Sequence, residues 1–252
     1  ERLKAAGVEP AESIQALARA CDMVFMALPS GKHVEEVCMS EDGLLAPAHA
    51  GQIIVDLGTS PVDLTRSLAA RFAERNARYA DAPIARTRQA AEEGTLSIMV
   101  GADAETFATI EPLLACCATD ITHCGPVGSG QIVKILNNMV LAETVVALSE
   151  ALVVARRAGL DGKVLFETLT KGSADSFALR KHGMKAVLPN IFPERAFSTG
   201  YMRKDIGYAL DLAADVGARV RGAELANELL QEASNAGFGD LYWPVVSRVV
   251  GA

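Results

Sequence analysis

From Gln131 to about Ala158 the chain sets apolar residues at helical spacing without a proline or an internal glycine. Roughly 28 residues at 1.5 Å each give a helix of about 40 Å. That exceeds what an ordinary globular domain uses and suits a scaffold shared by two domains. The segments on its two sides differ in kind, and this difference constrains the architecture more tightly than composition does.

Before the long helix, short apolar runs alternate with helical patterns, the signal of a parallel α/β sheet buried on both faces. Residues 22–28 and 52–57 read as strands, with helical stretches over 13–20 and 31–39. Thr59-Ser60-Pro61 places a capping hydroxyl before a first-turn proline, so a helix is predicted from there to about Asn76. Residues 78–82 and 95–101 supply further strands, a helix follows over 103–116, and a short strand over 120–124. Beyond the long helix, helical patterns continue at 161–171, 174–186, 205–216 and 222–236 with almost no alternation. The prediction is an α/β domain over residues 1–126 and an all-α domain over 127–252, with ligands expected between them.

Several function classes drop out. The net charge is −7 and no Lys/Arg run appears, so nucleic acid is not an expected partner. Apolar stretches such as residues 22–28 are far short of a membrane span and no signal-peptide pattern opens the chain, so no membrane partner is expected. Five cysteines form no C-x-x-C pair, which reads as reduced, mostly buried thiols in a cytoplasmic protein. His33, His49, His123 and His182 show no ligand spacing, so no metal is expected, and no G-x-S-x-G elbow supports a nucleophilic triad. Trp243 is expected to pack the end of the chain rather than to line a substrate site.

The segment Gly128-Ser-Gly-Gln-Ile-Val-Lys134-Ile-Leu-Asn137-Asn138 carries the chemistry. On a helix, Asn137 and Asn138 follow Lys134 by three and four residues and share its face. The apolar neighbours Ile132, Val133, Ile135, Leu136, Met139 and Val140 imply that the face is buried or lines a cleft. A lysine there, its charge disfavoured by burial, is suited to proton transfer. The same residues also admit a lysine that snorkels to solvent beside two asparagines capping a loop.

The stretch closely resembles the catalytic helix of the β-hydroxyacid dehydrogenases, the family of 3-hydroxyisobutyrate dehydrogenase and tartronate semialdehyde reductase, related to 6-phosphogluconate dehydrogenase. Further landmarks follow in order: Leu28-Pro29 with Val34; Asp56-Leu-Gly-Thr59-Ser-Pro61, with Gly58 in place of the usual serine; Asp81-Ala-Pro83; residues 94–101; Phe197 through Tyr201 to Lys204-Asp205; and Gly237-Phe-Gly-Asp240 to Val246. The resemblance implies a Rossmann-like first domain and hydride transfer between NAD or NADP and a small β-hydroxy acid or its semialdehyde. It implies Lys134 as general acid/base, with Asn138 holding the substrate oxygen or orienting the lysine, and Asn137 as a substrate neighbour. Leu28, Pro29, Val34 and Thr59 would lie along the nicotinamide half of the cofactor, and Lys204 would approach it from the helical domain. It also implies a homodimer or homotetramer, which the apolar surface of the long helix suits.

Two departures stand out. Where the family reads V-S-G-G after its D-A-P landmark, this chain has Ile84-Ala85-Arg86-Thr87, followed by Arg88. Arg86 is therefore the expected anchor for the substrate anion, with Thr87 beside it, and the pair resembles sulfolactaldehyde and ω-hydroxy acid reductases of the same family. The match is partial, since Leu141 stands where the sulfonate enzymes have serine, and Arg86 could instead form a salt bridge outside the loop. Second, no G-x-G-x-x-G turn precedes the first strand, and about 35 residues carrying it are expected to be absent from the sequence. An alternative of another class is a non-catalytic binding protein that retains the fold; the acidic balance and the Lys134–Asn138 pair argue against it.

Overall fold

A computed structural model describes residues 2–251. The chain divides into two compact units, one ending at Lys134 and the other starting at Ile135. The division falls inside the long helix, later than the expected boundary at 126/127.

In the first unit, one turn α1 (Arg2–Ala5) and helix α2 (Ile14–Ala20) precede strand β1 (Met23–Met26). Ser13 caps α2 by accepting the Ala16 N–H. Helix α3 (Gly31–Met39), strand β2 (Ile53–Asp56), helix α4 (Val62–Ala73) and strand β3 (Arg78–Asp81) follow. β1, β2 and β3 are parallel, with Met26 opposite Asp56 and Asp56 opposite Asp81. Among the described residues β1 pairs with β2 alone.

The sheet is mixed rather than all parallel. After β3 the chain makes strand β4 (Ile84–Ala85), a short helix α5 (Arg88–Glu92) and strand β5 (Leu96–Gly101), and β5 runs antiparallel to both β3 and β4. The connection from Ala82 to Thr95 is spent on β4 and on a helix of only five residues, and β5 returns in the opposite sense, pairing with β4 as well as with β3. Helix α6 (Ala104–Leu114), capped by Asp103 on Thr106, then leads to strand β6 (Ala118–Gly125), parallel to β5. Two cores flank the sheet. One gathers Ile53, Val55, Ile98 and Ile110, the other Val24, Ile54, Leu68 and Phe72.

Helix α7 (Ser129–Arg157) crosses from the first unit into the second. By length and composition it could span a bilayer, contrary to the expectation that all apolar stretches are short. Its apolarity has another use: Val145, Leu148 and Leu152 pack in the core of the second unit. There it is joined by α8 (Gly162–Leu169), a π-helical segment Leu179–Val187, α9 (Thr199–Asp215) and α10 (Arg221–Ala233). α9 begins six residues earlier than the pattern suggests, because the Ser198 hydroxyl caps the Tyr201 N–H. Trp243 is 1% exposed within this core. Of the five cysteines, all free, only Cys38 is buried and Cys116 is exposed, so the expectation of mostly buried thiols is corrected.

Candidate active site

β2 and β3 end side by side in two buried aspartates, Asp56 and Asp81. Asp56 Oδ1 accepts the Gly58 N–H at 2.8 Å, closing a turn in which the side chain bonds its own backbone two residues on. Its Oδ2 accepts the Ser60 hydroxyl at 2.7 Å. The expected capping of α4 by that hydroxyl therefore does not occur: the N-cap is Pro61, with no side-chain cap. The turn presents half-buried Thr59 at the carboxyl end of β2.

Leu28 and Pro29 lie at the corresponding end of β1, just before α3, with Val34 buried one turn into that helix. The two ends are in close contact. A Cβ on Gly58 would sit 2.9 Å from the Leu28 carbonyl oxygen, and one on Gly31 would sit 2.4 Å from Pro61 Cδ. In this backbone neither position has room for a side chain without a shift of its neighbour. Four of the five predicted cofactor contacts, Leu28, Pro29, Val34 and Thr59, thus cluster at the carboxyl ends of parallel strands beside two helix starts, where open α/β sheets bind their ligands. The fit to the nicotinamide side of a dinucleotide rests on this cradle of close backbone approaches.

Asp81 receives the first turn of α7: Oδ1 accepts the Gly128 N–H at 2.6 Å and Oδ2 the Gln131 N–H at 2.7 Å. Burial raises its carboxyl to about 6, against the lowering effect of these backbone donors. Gly128-Ser-Gly130 is required by packing. Gly128 has φ +93°, and a Cβ on Gly130 would lie 2.3 Å from the Met99 carbonyl oxygen. One helical turn beyond Gln131 stands Lys134, half-buried.

In the second unit Asn138, four residues after Lys134 on α7, is buried and donates to Asp205 Oδ2 at 2.6 Å. Lys204 Nζ lies 2.8 Å from the other oxygen of Asp205 and 4.9 Å from the Tyr208 ring centroid. Asn137 is exposed and donates to Asn138 Oδ1 at 3.0 Å. The face of α7 expected to be buried is mixed, for Val133, Leu136 and Val140 are exposed.

Arg86 and Thr87 are arranged differently from the expectation of a free anion grip. Arg86 occupies φ +82°, a left-handed conformation normal for the family's glycine, and its guanidinium donates to Thr95 O at 2.6 Å, Thr119 Oγ1 at 3.0 Å and Asp120 Oδ2 at 2.6 Å. The salt bridge outside the loop is what forms. Thr119 and Arg86 together hold the Asp120 carboxyl below its ordinary range. Thr87 Oγ1 caps α5 by accepting the Ala90 N–H at 3.3 Å, and Arg88 pairs with Glu92.

Sequence reasoning passed over four residues of this arrangement. Asp56 and Asp81 were visible only as parts of landmarks and Asp205 only as the neighbour of Lys204. Gln131 had no signal beyond its place one turn before Lys134.

Comparisons with known proteins identify the family. Residues 1–125 match the family model described as the NAD binding domain of 6-phosphogluconate dehydrogenase. Residues 128–242 match the one described as NAD-binding of NADP-dependent 3-hydroxyisobutyrate dehydrogenase. The chain is 33% identical to 2-(hydroxymethyl)glutarate dehydrogenase of Eubacterium barkeri, over 93% of this chain and 78% of that one. The chain belongs to the β-hydroxyacid dehydrogenase family. A second relative, 3-hydroxyisobutyrate dehydrogenase of Pseudomonas aeruginosa, is 33% identical over 88% of this chain and 76% of its own length. Among solved structures, Mycobacterium tuberculosis 3-hydroxyisobutyrate dehydrogenase with L-serine superposes with a TM-score of 0.90 at 30% identity, covering 99% of this chain and 86% of that one. The chain is thus an NAD(P)-dependent hydroxy-acid dehydrogenase of the Rossmann-plus-helical architecture.

Proposed function

We propose that the substrate is a short β-hydroxy acid of the 3-hydroxyisobutyrate or L-serine kind, interconverted with its semialdehyde, and that Lys134 is the general acid/base. The observation that carries this is the placement of Lys134 and buried Asn138 one turn apart on α7, with Asn138 fixed by Asp205. When bound, the nicotinamide cofactor takes the hydride in oxidation and returns it in reduction. In oxidation the β-hydroxyl proton passes to Lys134 Nζ; in reduction the lysine ammonium gives a proton to the aldehyde oxygen. Asn138, with its amide hydrogen on Asp205, keeps its Oδ1 oriented by the Asn137 donor. Leu28, Pro29 and Thr59 are assigned to the nicotinamide side with Val34 packed in the core beneath them, and Lys204 is assigned to the cofactor by the family resemblance.

Arg86 serves the substrate carboxylate only by exchanging Asp120 for it, so the turn 84–87 is the acid-end element and Thr87 its cap. The exposed Val133, Leu136, Val140 and Val154 of α7 support self-association into a homodimer or homotetramer, testable by light scattering. The free thiols suit the cytoplasm.

The deciding experiment follows reduced-nicotinamide formation with 3-hydroxyisobutyrate and with L-serine. Lys134→Ala should lower kcat by about 10²- to 10⁴-fold while leaving cofactor affinity within about twofold. Equal loss of both would assign the lysine to binding and overturn the reading.

A further inference from the structure

The side chain of Gln131 is wholly buried and faces the Asp56 turn rather than solvent. Its Oε1 accepts the Ser60 N–H at 3.1 Å, and its Nε2 donates to the Gly58 carbonyl oxygen at 2.9 Å, with Asp56 Oδ2 at 3.5 Å. One carboxamide therefore grips the backbone on both sides of Thr59. Its own backbone N–H is held by Asp81, so the first turn of α7 is tied to the ends of β2 and β3 at once. Lys134 stands three residues further along the same helix, within the reach of a single rigid turn.

We propose that Gln131 is a positioning residue that sets the Thr59 turn and Lys134 in mutual register. The inference rests on the roles given above to Thr59 and Lys134. A simpler requirement, filling a buried space, would be met by any side chain of similar length. The observed pairing instead uses an acceptor and a donor in fixed order, which a carboxamide or a protonated carboxyl of this length supplies and an apolar side chain does not. A displacement of the order of 1 Å between groups that must act together can cost about 10²-fold in rate.

The test compares Gln131→Met with Gln131→Glu in the full chain. Hydrogen exchange of the apo protein is read over peptides covering residues 57–62 and 128–134. Kinetics use 3-hydroxyisobutyrate or L-serine, whichever turns over. Gln131→Met keeps the volume but neither hydrogen bond. It should speed exchange in these two segments and not across the sheet, and lower kcat by about 10- to 100-fold with KM for the hydroxy acid within about threefold. Gln131→Glu should be as impaired at alkaline pH, where the introduced carboxylate faces Asp56. Its kcat relative to the parent should recover as pH falls, because the protonated carboxyl restores both bonds; Gln131→Met should show no such recovery.

Parent-like exchange over 57–62 in Gln131→Met, or a Gln131→Glu ratio flat with pH, overturns the inference. Failure of the underlying reading has a different signature, full turnover in Lys134→Ala, and leaves the exchange result standing as a test of the tie itself.

Discussion

Asn138 donates to Asp205 across 2.6 Å, and this contact joins the third turn of α7 to the second turn of α9 at a point where both side chains are buried. Asp205 holds the Lys204 ammonium through its other oxygen, so one carboxylate serves two predicted site residues. A buried carboxylate with two such partners is costly to delete, because each partner is left with an unmet polar group.

Asp205→Ala should therefore lower the unfolding free energy by about 2–4 kcal/mol in urea titrations and reduce kcat through loss of Asn138 orientation. Asp205→Asn, which keeps an acceptor for Asn138, should retain more turnover than the alanine variant. Equal activity in the two variants would remove Asn138 orientation from the explanation.

Asp81 makes stability depend on pH in an uncommon direction. Burial puts its folded-state carboxyl at about 6, above the ordinary aspartate value, so protonation favours the fold. Its contribution is complete below about pH 4 and is lost as pH rises through 6, amounting to about 3 kcal/mol. Asp81→Asn should remove this contribution and so change the pH dependence of stability. Urea midpoints between pH 4 and 7 that change equally in parent and variant would show that Asp81 does not supply it.

His182 acts with the opposite sign. It is buried against Trp243, its Nδ1 lies 2.6 Å from the Tyr242 hydroxyl, and burial pushes its folded-state value down to about 4. Stability from this group is present above about pH 6.5 and is lost as pH falls through 4, again by about 3 kcal/mol. Between those limits it offsets Asp81. The acid side should therefore look nearly flat in the parent and tilt in opposite directions in Asp81→Asn and His182→Gln. Parallel tilts would refute the assignment.

Much of this molecule was legible in the order of its residues. The change from alternating runs to continuous helical spacing located α7 before any contact was known, because periodicity reports which face is buried. Lys134 and Asn138 could be paired for the same reason, since their spacing alone fixes their common face. What spacing cannot report is which distant group answers a buried polar atom. Gln131 meets Ser60 across 71 positions and Asn138 meets Asp205 across 67, so these partnerships exist only once the strands and helices are assembled. Arg86 is the instructive case. Its residue type suggested an anion grip, while its φ of +82° and its partner Asp120 on β6 are tertiary facts.

That backbone conformation gives Arg86 a stability signature separate from its role toward substrate. A side chain at left-handed φ costs about 1–2 kcal/mol relative to glycine, and the solvent-screened Arg86–Asp120 ion pair offsets little of it. Arg86→Gly relieves the strain and loses the pair, so it should be no less stable than the parent. Arg86→Ala keeps the strain and also loses the pair, and should be the less stable of the two by about 1–2 kcal/mol. If the arginine leaves Asp120 to meet the substrate carboxylate, both variants should raise KM for 3-hydroxyisobutyrate several-fold with a smaller change in kcat. An unchanged KM in both would leave Arg86 as a strap between the turn and β6, with no part in anchoring the acid.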